Sequence, residues 1–138
     1  MSEIPEESIW YPDEENVIKA HDVVMKEFGG YIGFERGIGV FKDIIAEVKS
    51  ARGIYRKAAI LLRRMIERRI FKDGNHRTAY VITKMFLEMN NRKMRIQNLE
   101  KIIKFIKDVW YYEIDEIERW LKDGALPQRS HKSSRENS

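Results

Sequence analysis

Between residues 76 and 90, apolar side chains occupy nearly every face of a helical wheel: Ala79, Tyr80, Val81, Ile82, Met85, Phe86, Leu87 and Met89. A helix that is apolar all round has to be enclosed by others, so this stretch predicts the buried centre of a helical bundle. The rest of the chain supplies the enclosing helices. Val17, Ile18, His21, Val24, Met25 and Phe28 repeat at helical spacing over 14–28, Phe41, Ile44, Ile45 and Val48 over 41–49, and Ile54, Ala58, Leu61, Leu62, Met65 and Ile66 over 54–69. Asn90-Asn91 ends the apolar helix. Asn98 is then placed to cap a helix to about 111, built on Leu99, Ile102, Ile103, Ile106 and Trp110. Asp115 is placed to cap a last short helix on Ile117, Trp120 and Leu121, which Gly124 terminates. With no strand alternation, internal repeat or heptad seam, the expected fold is all-α, a single bundle of about six helices.

At 138 residues and 43% hydrophobic content, the chain makes one domain with a real core. Residues 1–13, with Pro5, Pro12 and several carboxylates, read as an irregular lead-in that Trp10 and Tyr11 pin to the body. Residues 14–124 form the domain, and 125–138, with Ser130, Ser133 and Ser134, read as a disordered polar tail. No apolar run approaches the roughly 18 residues needed to span a bilayer, and the acidic start is not a signal peptide. The expectation is a cytoplasmic protein without membrane contact. Cysteine is absent and the three histidines are scattered, which excludes disulfides, a thiolate nucleophile and a cysteine zinc site.

The net charge of +4 is unevenly spread. Residues 51–77 hold nine Lys or Arg against Glu67 and Asp73, a local balance of +7 that leaves −3 for the remainder. So local a patch favours a specific anionic ligand over a nucleic-acid coat, and no DNA-binding motif or aromatic stacking stripe accompanies it. A basic nucleic-acid-binding domain is therefore the weakest alternative. Arg56, Lys57, Arg63 and Arg64 read as a solvated helix face.

The end of that patch carries the chemistry. Asp73-Gly74 is a turn signal, and Asn75 is a good N-cap for the apolar helix. The free amides of a helix start and the positive end of its dipole attract phosphate. Arg77 adds a guanidinium whose fork matches two phosphate oxygens, and Asp73 is a carboxylate suited to a hard divalent cation. An anion cradle beside a magnesium ligand suggests a nucleotide. Upstream, Gly29, Gly30, Gly33, Gly37 and Gly39 make a loop that reads as either a flap over a site or a flexible connector. His21, on an apolar stripe, reads as a core histidine with one hydrogen bond.

Phe71-x-Asp73-Gly74-Asn75-x-Arg77-Thr78-Ala79 resembles the signature of the Fic/Doc (Fido) family, His-x-Phe-x-(Asp or Glu)-(Gly or Ala)-Asn-x-Arg. Ala20-His21-Asp22, Phe28-Gly29-Gly30 with Gly33, and Phe86-Leu87-Glu88-Met89-Asn90 resemble flanking parts of its Doc (death-on-curing) branch. The similarity covers roughly residues 14 to 124. It implies a helical bundle that binds ATP and Mg²⁺ and transfers AMP or a terminal phosphoryl group to a Ser, Thr or Tyr hydroxyl of a protein, as toxins of toxin–antitoxin pairs do. Asp73 would bind the metal; Gly74, Asn75, His76 and Arg77 would hold phosphate. Gly30, Gly33 and Gly37 would belong to a flap that aligns the target, and Phe71 would anchor the motif in the core.

One departure outweighs the matches. The family's catalytic histidine falls at Arg69, and a guanidinium that stays protonated cannot take a proton from the attacking hydroxyl. Three rescues are open: His76 as a substitute base, Glu67, which is near in sequence, or transfer by positioning and charge stabilisation alone. The alternative is a Fido pseudoenzyme that binds nucleotide or a partner without chemistry. Neither Ser2 to Glu6 nor Lys132 to Asn137 makes a convincing inhibitory Ser/Thr-x-x-x-Glu-Gly/Asn helix, so the resemblance implies a separate small antitoxin.

Overall fold

A computed structural model describes residues 3–126, so the expected tail and both inhibitory-helix segments lie wholly or partly outside the described residues. The described chain is all-α: six helices and no strand, with one isolated bridge between Phe34 and Phe71. The helices are α1 (Glu14–Phe28), α2 (Val40–Ser50), α3 (Ile54–Arg68), α4 (Asn75–Met89), α5 (Leu99–Asp108) and α6 (Ile114–Asp123). Short 3₁₀ turns occupy Glu6–Ser8 and Val109–Tyr111, so the lead-in is not wholly irregular and the fifth helix tightens before it ends. No helix is long and apolar enough to cross a membrane, among the described residues.

The centre of the bundle is α3 and not α4. α2, α4 and α6 all pack on α3, while α1 packs on α4. Ala58, Ala59, Leu61 and Leu62 of α3 are wholly buried; on α4, Tyr80, Val81 and Met85 are only partly covered and Met89 is exposed. The adjacent Ala58 and Ala59 let neighbours approach α3 closely from adjacent sides. Helix ends follow the sequence signals with two exceptions. Gly29 and Gly124 end α1 and α6 in positive-φ conformations, and Asn98 caps α5 by accepting from Lys101 N–H. Glu113, not Asp115, starts α6 through a reciprocal box with Glu116, and Gly74, not Asn75, caps α4.

Apolar stripes also face differently from expectation. Leu99, Ile103 and Trp110 of the α5 region and Phe28 of α1 are exposed, while Phe105 joins Ile102 and Ile106 inside. Phe105 stacks on Trp120 of α6 with ring centroids 3.8 Å apart, and that contact sets the rotation of α5.

Five of the nine basic residues of 51–77 are spent on the fold. Arg56 pairs with Asp115 and Glu118, Arg63 with Glu67, Arg64 with Glu47 and Glu67, and Arg68 with Asp43. Lys57, expected on a solvated face, is 1% exposed. Its ammonium donates to the carbonyls of Val48 and Lys49 at the end of α2 and meets Glu6 at 3.2 Å. Glu6 also accepts from Tyr11, a bond that holds its carboxyl below the ordinary range, whereas burial and then this bond push the Tyr11 phenol up. Lys57→Ala strands two helix-end carbonyls and opens a void, so urea unfolding should show a loss of about 3 kcal/mol. Farther along the lead-in, Trp10 N–H donates to Asn90 Oδ1 at 2.9 Å and Asn90 Nδ2 donates back to Trp10 O at 3.0 Å. Tyr11 stacks on Phe86, completing a strap across α4.

Candidate functional site

The junction between α3 and α4 is built from its backbone outward. Arg69 ends α3 in a left-handed conformation (φ 43°, ψ 66°), which glycine would adopt without strain. The chain then runs extended through Ile70 and Phe71, both buried, and turns at Gly74 (φ 78°) into α4. Phe71 is sandwiched between aromatic neighbours: the His21 ring stacks on it at 3.6 Å and Phe34 at 5.4 Å. His21 is buried, and its Nε2 lies 2.9 Å from the Asp73 carbonyl, which places the ring proton on Nε2. It is a core histidine that holds the turn.

Asn75, expected as a cap and phosphate ligand, is the first residue of α4, and its side chain is buried and turned back. Its Oδ1 accepts from Phe71 N–H at 3.1 Å and its Nδ2 donates to Phe71 O at 2.7 Å. Both ends of the amide clamp the loop, so the side chain holds the loop's shape and the helix amides stay free of a side-chain cap.

Residues 29–39 lie against this loop. Lys72 N–H donates to Gly33 O at 3.0 Å, Glu35 and Gly37 N–H donate to Ile70 O at 2.9 and 3.1 Å, and Arg36 N–H donates to Arg69 O at 3.1 Å. The segment is thus docked on the loop by main-chain hydrogen bonds. At its near end Tyr31 N–H reaches Asp73 Oδ2 at 3.3 Å, and Gly30 (φ 125°) packs so closely that a Cβ there would stand 2.5 Å from the same oxygen. Gly33, at φ 120°, faces the Lys72 stem, and Gly37 serves through its amide.

Arg69, Asp73, Gly74, Asn75, His76 and Arg77 together line one open depression of about 150 Å³, so all the loop residues singled out in the sequence are brought to one place. Asp73 Oδ1 accepts from Gly74 N–H at 2.9 Å. Arg69 donates to Lys72 O at 3.0 Å. Arg77 lays its guanidinium over the exposed Phe28 ring, 4.0 Å from the centroid, leaving the edge N–H groups available to an anion. Phe28 and the Tyr31 amide were not foreseen as contributors, and only their adjacency in the fold reveals them.

Partial desolvation, then the Arg69 charge, hold the His76 imidazole below the ordinary 6.5. A neutral imidazole near pH 7 accepts protons. The same shift ties stability to pH. With the folded value below the unfolded one, protonation favours the unfolded chain, so stability falls as pH drops through about 6.5 and levels once the folded His76 also protonates. His76→Gln should flatten that part of the stability curve, measured by urea unfolding between pH 7.5 and 5.

Glu67, the other proton acceptor weighed, is consumed by Arg63 and Arg64. Among the described residues no group of three His, Asp or Glu is placed to hold a metal ion.

No family model and no curated protein matches this chain. The Fic/Doc resemblance accordingly rests on the residues of the 69–79 motif and its two flanking segments.

Proposed function

We propose that the chain is a Doc-like Fido protein that holds a magnesium-bound nucleotide at Asp73–Arg77 and passes a phosphoryl or AMP group to a hydroxyl of a cytoplasmic protein. The observation that supports it most is the single depression uniting a carboxylate, an uncapped helix N-terminus, two guanidiniums and a histidine of lowered pKa. The donor set suits Mg²⁺ only in company. A lone carboxylate makes a poor cage for a free ion, but Mg²⁺ is commonly held by one or two carboxylates plus nucleotide phosphates. When bound, the ion would neutralise phosphate charge; the chain's own part is to orient the phosphates and accept a proton. Arg69, Arg77 and the amides after Gly74 would bind the phosphate oxygens. The target oxygen bonds to phosphorus, the bond from phosphorus to the departing ADP or pyrophosphate breaks, and His76 takes the hydroxyl proton.

A second reading has its own support. Arg69 stands where the family has its base, and it is tied to Lys72 O, which favours a nucleotide-binding pseudoenzyme. The nucleic-acid reading has less support, because five of the nine basic residues of 51–77, Arg56, Lys57, Arg63, Arg64 and Arg68, are paired within the bundle. Incubation with cell extract and ATP labelled at the γ or α position separates the first two. A γ-labelled protein indicates phosphoryl transfer and an α-labelled one AMP transfer, each lost in Asp73→Ala. Calorimetric binding of Mg·ATP without either label indicates a binding module; no binding removes the nucleotide altogether.

A further inference from the structure

Apart from the cations of the 69–77 loop, free positive surface among the described residues lies in the stretch after α4. Residues 91–108 hold six Lys or Arg against Glu100 and Asp108. Among the described residues, Lys93, Arg95, Lys101, Lys104 and Lys107 enter no ion pair, in contrast to the arginines of α3. Along the same helix runs an apolar strip that the fold leaves uncovered: Leu99 is 60% exposed, Ile103 48% and Trp110 52%. Leu99, Ile103, Lys107 and Trp110 succeed one another at helical spacing, so the strip extends for about 16 Å with a lysine inside it. At its start lies a depression of about 230 Å³ between α4 and the 93–99 connection, rimmed by Tyr80, Lys84, Lys93, Gln97 and Leu99.

We propose that this α4–α5 face is a docking surface for an acidic amphipathic helix of a partner protein. Three turns of such a helix match the strip. Its apolar residues would cover Leu99, Ile103 and Trp110, one side chain would enter the depression, and its carboxylates would face Lys93, Lys104 and Lys107. Other anionic partners fit less well. A bilayer is flat and leaves the depression unfilled, while burying Glu88 at its edge against lipid phosphates. An RNA strand has no use for exposed Leu99 and Ile103, and one face of Trp110 is already taken by the Arg63 guanidinium at 5.6 Å.

The probe is a synthetic 16-residue helix of Glu and Leu with one apolar face, compared with a scrambled peptide of the same composition, phosphatidylserine vesicles and a uridine oligonucleotide. Titrated into the ¹⁵N-labelled full chain, the amphipathic peptide should shift amides at 84–110 and quench Trp110. Its affinity should fall at least tenfold in Lys93→Glu/Lys107→Glu and again in Ile103→Ser, all exposed positions whose thermal midpoints stay with the parent. Shifts elsewhere, equal binding of the scrambled peptide, unchanged affinity in the charge reversal, absence of binding, or exclusive response to vesicles or oligonucleotide would each overturn the assignment.

Discussion

Arg69→His should raise the rate of label transfer from Mg·ATP to protein by about 10² to 10⁴, the usual worth of a positioned general base. The fold permits the change at small cost. Residue 69 sits in the left-handed region at the end of α3, where histidine is tolerated better than most side chains, and its own side chain is exposed. Within the fold the bond to Lys72 O is lost, and at the site one of the proposed phosphate guanidiniums, which leaves Arg77. Initial rates with γ- and α-labelled ATP, at matched thermal midpoints, measure the effect. A rate no faster than the parent's would mean that proton removal is not what limits this site, and His76→Ala in both backgrounds then tells whether His76 already supplies it.

Asn75→Ala should cost as much stability as Lys57→Ala. The side-chain amide is buried, and both its bonds go to the backbone of Phe71, itself buried between His21 and Phe34. Truncation leaves a donor and an acceptor without partners in a dry environment, a loss of about 3 kcal/mol. Asn75→Asp keeps the acceptor for Phe71 N–H and discards the donor to Phe71 O, so its loss should be at least as large at neutral pH, where a carboxylate is also buried. Urea unfolding monitored by far-UV circular dichroism gives both values. A deficit below roughly 1 kcal/mol for the alanine variant would show that the flap contacts hold the loop without the clamp.

Helix positions were legible because apolar residues recur at the helical period and glycines punctuate them; Gly29 and Gly124 end their helices in the left-handed geometry that their lack of a side chain allows. Which side of a broad apolar stripe meets a neighbour was not legible. Leu99 and Ile103 share the periodicity of Ile102 and Ile106, and only the stacking of Phe105 on Trp120 decides between the two flanks. Lys57 was hidden for a different reason: its burial depends on two carbonyls of another helix and on a glutamate of the lead-in, none of which a helical wheel contains. That Arg69 and Asp73 to Arg77 line one depression was legible because they are neighbours in sequence. The role of Asn75 went astray by one position, because Gly74 took the cap and freed the amide to turn inward.

The clasp between Trp10 and Asn90 joins positions 80 residues apart. On a ribosome, the first of these is made long before its mate exists. Trp10 therefore waits for its mate until the whole of α4 has emerged. Contacts of α5 and α6, such as Phe105 on Trp120, are completed later still, and the fluorescence of the Trp10 indole would time the clasp.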